Sequence, residues 1–167
     1  NPQGLTIDKD TNLIYSSEHG PKGGDEINTI YTTKTIQNYG WPISSYGEHY
    51  GNEKKDNSKL YKIAPLFKSH KDYGFIEPTK NYTPSIGISE LILFDMLDQK
   101  ILLASSLGNN VSEGDMSLHI YFFDEDNLKK YKSITLNERI RDMLYLEKKN
   151  LIILFLESTS SIGVIKL

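Results

Sequence analysis

Apolar and polar positions along this chain follow no sustained helical repeat. Short runs of Ile, Leu, Tyr, Phe and Thr alternate with polar turn clusters, a pattern that predicts strands joined by turns. Three stretches share one plan: a strand ending in an acid, a turn of three to five residues, then a more apolar strand. Leu5-Thr6-Ile7-Asp8 leads to Leu13-Ile14-Tyr15-Ser16-Ser17. Leu91-Ile92-Leu93-Phe94-Asp95 leads to Ile101-Leu102-Leu103-Ala104-Ser105-Ser106. Met143-Leu144-Tyr145-Leu146-Glu147 leads to Leu151-Ile152-Ile153-Leu154-Phe155.

The second and third copies lie about 50 residues apart, within the range of propeller repeats. The first is farther from the second, and the excess falls in residues 47–80. That stretch holds the polar run Glu53-Lys54-Lys55-Asp56-Asn57-Ser58 and is expected to be a long loop inserted into the first blade. Each blade of a propeller is a four-stranded antiparallel meander. His119–Phe123 and Tyr131–Leu136 supply the remaining strands of the second copy. Only Ile162–Leu167 follows in the third, one strand short. The expected fold is therefore all-β: residues 1–167 form part of a single β-propeller domain, about three blades with open edges. The chain begins Asn1-Pro2-Gln3-Gly4 and runs straight into a strand, so it is expected to be cut from a longer protein.

Composition narrows the partners. The 38% hydrophobic and 25% charged residues are those of a globular chain, and the net charge of −3 points to neither nucleic acid nor an anionic membrane surface. No apolar run reaches the roughly 20 residues of a membrane helix. Cysteine is absent, which removes disulfides and thiolate metal sites and leaves the compartment open.

Four motifs could carry chemistry. Glu18-His19-Gly20-Pro21-Lys22-Gly23-Gly24-Asp25-Glu26 follows an apolar strand, and its glycines and proline impose an irregular turn. Asp25 and Glu26 add hard oxygen ligands of the kind Ca²⁺ takes. A β-turn with solvated charges explains the same residues. Asn38-Tyr39-Gly40-Trp41-Pro42 could wall a pocket or pin a loop to the core. In Arg139-Ile140-Arg141-Asp142, strand alternation puts both guanidinium groups on one face. They suit a carboxylate-bearing ligand, or form a surface pair balanced by Glu138 and Asp142. Tyr82-Thr83-Pro84-Ser85-Ile86 reads as an ordinary approach to a strand. Of the histidines, His119 is expected in the core, His70 in a solvated lysine-bearing loop, and His19 beside the site; their spacing, with His49, matches no metal motif. Neither a phosphate loop nor a nucleophile elbow is present.

Taken in order, Asn1-Pro2-Gln3-Gly4-Leu5, the Glu18–Asn28 loop, Asn38–Pro42 and Arg139–Asp142 resemble the glucose/sorbosone dehydrogenase family, the soluble PQQ-dependent aldose sugar dehydrogenases. The likeness is dense over residues 1–46 and looser from 47 to 138. It implies a six-bladed propeller, of which this chain would be about the last three blades. It also implies pyrroloquinoline quinone (PQQ), Ca²⁺ and oxidation of an aldose to its lactone. By resemblance, Asn1 contacts the quinone, and the carbonyls of Gly20 and Pro21 hold the Ca²⁺ that bridges to it. Glu26 and Tyr39 bind another Ca²⁺, and Arg139 and Arg141 face the PQQ carboxylates. The family's catalytic histidine lies on an earlier blade, upstream of Asn1, so no catalytic base is assigned here and the isolated chain is expected to be inactive. An external electron acceptor and a periplasmic or secreted location follow from the family alone.

The sequence departs from the family pattern at three places. Gly108-Asn109-Asn110 stands where some members carry a cofactor-binding lysine. Ile88 and Glu90 replace a proline and a glycine, and three extra residues separate Glu26 from Tyr39. Two other readings are therefore carried alongside the enzyme. One is a propeller without turnover that binds a carbohydrate or a partner. The other is a Ca²⁺-dependent lactonase, which would hold its cation by side-chain carboxylates and amides and need no PQQ.

Overall fold

The structure is a computed structural model, and it describes residues 1–32, 35–51, 58–108, 116–124 and 127–167. Strands β1 (Pro2–Ile7), β2 (Ile14–Glu18), β3 (Asp25–Ile30) and β4 (Lys80–Tyr82) make a first antiparallel sheet in chain order. A second four-stranded meander follows: β5 (Ile88–Met96), β6 (Gln99–Ser106), β7 (Ser117–Asp124) and β8 (Asn127–Thr135). The third sheet holds β9 (Ile140–Leu146), β10 (Leu151–Leu156) and β11 (Ser161–Lys166). β5 packs against both β1 and β9, so the first strand of each sheet lies innermost. This is the radial plan of a β-propeller, with three blades in view.

The repeated strand–turn–strand units are the first hairpin of each blade. The middle turn is tighter than its sequence suggests. β5 and β6 run on to Met96 and Gln99, leaving a two-residue loop in which Leu97 (φ 51°) and Asp98 (φ 59°) are both left-handed. Two positive φ values match the twist of the flanking strands. No Asn-Gly or Asp-Gly pair marks the place, which is why the turn reads longer from the sequence.

Burial explains the apolar run Ile101–Ala104. Leu102 and Ala104 enter a core with Tyr15, Ile27, Leu91 and Tyr121 between the first two blades. Ile101 and Leu103 enter another with Phe94, Ile140, Met143 and Ile152 between the second and third. A strand covered on both faces needs no polar alternation. β10 differs, for Ile152 and Leu154 are buried while Phe155 is exposed, with Leu144, Ile162 and Val164 also on the surface. Despite its unbroken apolar run, β10 is thus buried on one face only.

Hydroxyl groups tie the blades together. Ser17 Oγ donates to Ser89 O, and Ser89 Oγ donates in turn to Ile140 O. Tyr82 and Tyr121 share a buried hydrogen bond of 2.6 Å. Each inner strand also carries a register irregularity near its start: at Gln3, at Ser89–Glu90 and at Arg141. Such bulges turn side chains away from strict alternation.

Residues 31–79 leave the first sheet between β3 and β4 and include helix α1 (Lys59–Ile63) and a 3₁₀ turn over Lys71–Tyr73. Ser58 caps α1 by accepting from Leu60 N. The polar run Glu53–Asn57 lies outside the described residues. Tyr61, Ala64, Leu66 and His70 of this segment are buried. His70 is therefore not the solvated residue that its lysine-rich surroundings suggest. Among the described residues, no helix is long and apolar enough to cross a membrane.

His119 is 2% exposed, as its apolar strand predicts, and Nδ1 is 3.0 Å from Ser133 Oγ. Burial pushes its pKa down to about 4, with Lys130 adding repulsion. The folded protein then binds fewer protons than the unfolded chain between about pH 6.5 and pH 4. Stability is complete above that window and declines as the pH falls through it, by about 3 kcal/mol in total. Urea unfolding at pH 7 and pH 4.5 should show this loss, and His119→Gln should flatten it. Equal slopes for the two proteins would contradict the assignment.

Candidate functional site

The loop between β2 and β3 is built by glycine and one buried acid. A Cβ on Gly20 would stand 2.1 Å from Gly24 O, and Gly24 itself is left-handed (φ +75°) against the backbone of Gly47. Asp25 is fully buried. Its Oδ1 accepts from Gly20 N (3.3 Å), and its Oδ2 accepts from Ile86 N (3.1 Å) and Ile88 N (3.0 Å). Asp25 is thus a structural acceptor and not the exposed oxygen ligand that the motif suggested. It leaves the Gly20 and Pro21 segment bordering an open cleft.

That cleft has a volume of about 440 Å³. Asn1, Gly20, Pro21, Glu26 and Tyr39, positions assigned by resemblance, all line it, together with Glu18, His19, Trp41, Tyr50 and His70. Arg139 and Arg141 do not. They stand at the start of β9, the same end of the inner strands at which Asn1 precedes β1. A wider cavity of about 610 Å³ lies at the opposite ends of these strands. Lys100 is paired there with Asp8 (2.5 Å) and Asp10 (2.8 Å), and none of the assigned residues reaches it.

The cleft is rich in oxygen. Glu18 and Glu26 face each other directly across the β2–β3 ladder. Asn28 Nδ2 donates to Glu18 Oε1 and to Glu26 Oε2, each at 3.3 Å, while its buried Oδ1 has no partner. Burial raises the Glu26 pKa to about 7, against the Asn28 hydrogen bond and with repulsion from Glu18 and Glu77. Two carboxylates held this way form a place where a cation relieves repulsion.

His70 is a site residue that sequence reasoning missed. It is 1% exposed and stacks on Tyr46, with ring centroids 5.4 Å apart. Its Nδ1 lies 2.8 Å from Tyr39 O. A carbonyl can only accept, so Nδ1 carries the proton. Nε2 then points towards Glu26 Oε1 at 3.4 Å without a hydrogen bond. No sequence spacing links His70 to Glu26; only the folding back of segment 31–79 does. Tyr39 itself is fixed by its hydroxyl, 2.7 Å from Thr29 O and 2.9 Å from Gln37 Oε1.

These donors fit a hard divalent cation, which takes carboxylate, amide and carbonyl oxygens. Among the described residues, no three His, Asp or Glu side chains form a metal cage. Backbone carbonyls such as those of Gly20 and Pro21 would have to complete the shell. The two arginines converge on one carboxylate, Glu157, which stands where Glu138 and Asp142 were expected as balancing acids. Convergence on a carboxylate fits a ligand that bears the same group. Arg141 sits at a bulge, so this convergence owes more to the irregularity than to strand alternation.

Comparisons with known proteins agree with this architecture. The family model "Glucose / Sorbosone dehydrogenase" matches residues 1–162. The uncharacterized protein slr1608 of Synechocystis sp. is 31% identical over 146 residues, 86% of this chain and 31% of that protein. The aldose sugar dehydrogenase YliI of Escherichia coli is 42% identical over 59 residues, 35% of this chain and 15% of its own length. The crystal structure of the soluble aldose sugar dehydrogenase of Escherichia coli in the apo-form superposes with a TM-score of 0.75 at 23% identity, covering 100% of this chain and 45% of that one. A glucose dehydrogenase structure gives 0.69 at 24% identity, over 98% and 43%. The structural likeness establishes the fold. The chain spans about a third of the first relative and less than half of the solved structures.

Asp25→Asn should unfold more readily than the wild type. The substitution sets an amide N–H against backbone N–H groups that now share a carboxylate, a cost of about 2–3 kcal/mol. Chemical denaturation checks this; an unchanged midpoint would show that Asp25 does not hold the loop.

Proposed function

This chain belongs to the glucose/sorbosone dehydrogenase family, and we propose that it supplies the cation and cofactor-carboxylate side of a PQQ-dependent aldose dehydrogenase. One observation carries the reading. Asn1, then Gly20, Pro21 and Glu26 around the β2–β3 loop, and Tyr39 come from three separate segments, yet they line one oxygen-rich cleft.

Ca²⁺ would be held by the carbonyls of Gly20 and Pro21, and a further Ca²⁺ by Glu26 and Tyr39. Arg139 and Arg141 would hold the PQQ carboxylates. Bound together, Ca²⁺ and PQQ supply a hydride acceptor whose carbonyl is polarised by a Lewis acid. Asn1 Oδ1 accepts from Gln3 Nε2 at 3.0 Å, which orients the amide for contact with a ligand. Trp41 is 63% exposed and presents an apolar face at the cleft. His19 is a neighbour of the cation position and is not given the role of base; no residue of this chain is. The substrate is an aldose, oxidised to its lactone, and electrons leave to an external acceptor. A periplasmic or secreted location belongs to the same proposal.

A second reading, a propeller that binds carbohydrate or a partner without turnover, rests on Glu90. Its Oε1 accepts from Leu5 N (3.2 Å) and Leu91 N (2.8 Å), which places a half-buried carboxyl between β1 and β5. Burial raises its pKa, and Asp142 adds repulsion. A carboxyl at this end of the inner strands opposes an anionic cofactor.

The full-length protein, reconstituted with PQQ and Ca²⁺, should reduce a dye when supplied with aldoses. Ca²⁺ alone should raise its melting temperature, and Glu26→Gln should remove most of that shift. Absence of PQQ-dependent turnover across a broad sugar panel would leave the binding reading in its place.

A further inference from the structure

The arginine pair already holds an anion supplied by the chain. Arg141 reaches Glu157 Oε2 from Nε (2.7 Å) and Nη2 (2.5 Å), and Arg139 Nε approaches Oε1 at 3.4 Å. This carboxylate is not a chance neighbour. Glu157 N donates to Arg139 O at 2.8 Å, which sets the side chain in front of both guanidinium groups. Arg139 is anchored from behind as well, because Nη1 donates to Leu107 O on the second blade.

The arrangement has the geometry of a ligand contact and the weakness of a surface one. Side-chain exposure is 34% for Arg139, 43% for Arg141 and 36% for Glu157. Ion pairs open to water to this degree are held loosely. An incoming carboxylate seeks the same fork, and it cannot share that fork with Glu157. Glu90, Glu138 and Asp142 stand at the same end of the inner strands as Glu157, so acids outnumber the two cations there. With Glu157 in place, the local charge does not favour a polycarboxylate. With Glu157 displaced, the two arginines become available while Arg139 keeps its backbone anchor.

We propose that Glu157 is a resident competitor at the cofactor-carboxylate subsite, occupying the Arg139/Arg141 fork until a ligand carboxylate displaces it. It thereby lowers the affinity for PQQ and keeps the two like charges convergent when no ligand is bound. This inference rests on the reading of Arg139 and Arg141 as cofactor-binding residues.

The test is a titration of the full-length protein with PQQ, followed by fluorescence quenching at low and high salt, with a thermal melt of each variant to verify folding. Glu157→Gln should bind PQQ about fivefold more tightly at low salt, with affinity falling more steeply as salt is added. A folded Glu157→Gln protein with unchanged or weaker PQQ affinity overturns the proposal. If that variant does not fold, Glu157→Asp replaces it; its shorter reach should give a smaller gain of the same sign, and no gain overturns the proposal equally. The double variant Arg139→Gln/Arg141→Gln examines the premise. If it binds PQQ as the wild type does, the clamp reading fails and the competitor with it. If it loses affinity while Glu157→Gln gains none, only the competitor fails.

Discussion

The hydrogen bonds of the Asp25 carboxylate are the constraint on which the site depends. A fully buried acid is tolerable only where donors surround it, and here three backbone amides do so. One belongs to the Gly20 loop and two to the approach of β5. The same side chain thus shapes the irregular turn of the first blade and locks it to the second. The Gly20 and Pro21 segment is left at the edge of the cleft, with its position set from below.

The inner strands extend this logic across the blades. Ser17 bonds to the backbone of β5, and Ser89 bonds to that of β9. Their hydroxyls satisfy carbonyls at the points where bulges interrupt the ladders. The irregular starts of β1, β5 and β9 are therefore held at a common level. Those starts carry or adjoin Asn1, Glu90, Arg139 and Arg141. The bulges take these residues out of strict alternation, which a regular strand would impose. A rigid scaffold below and irregular backbone above is the usual division between stability and binding.

Electrostatics separate the two parts of the site. The cleft is acidic: Glu18 opposes Glu26, Asn28 leaves an oxygen unpaired, and His70 Nε2 faces Glu26 without a proper bond. Every one of these tensions is eased by a positive charge. The arginine fork is the reverse, positive and already answered by Glu157. On the proposed reading, a ligand spanning both would meet a cation at one end and present carboxylates at the other.

Much of the fold was legible in the chain itself. Short apolar runs of four to six residues, broken by polar turn clusters at a repeating interval, are too short for helices and specify the strands of antiparallel meanders. The ordered motifs marked the family and the positions that gather in the cleft. Tertiary structure decided the rest. Asp25 and Glu26 are adjacent acids of similar appearance, yet burial sends one to backbone amides and the other to the cleft. His70 looks solvated among lysines until segment 31–79 folds back on β3. Glu157, eighteen residues from Arg139, becomes its partner only through the pairing of β9 with β10. Local pattern determines which elements form. Which polar group meets which depends on contacts distant in sequence, and these arise only when the blades pack.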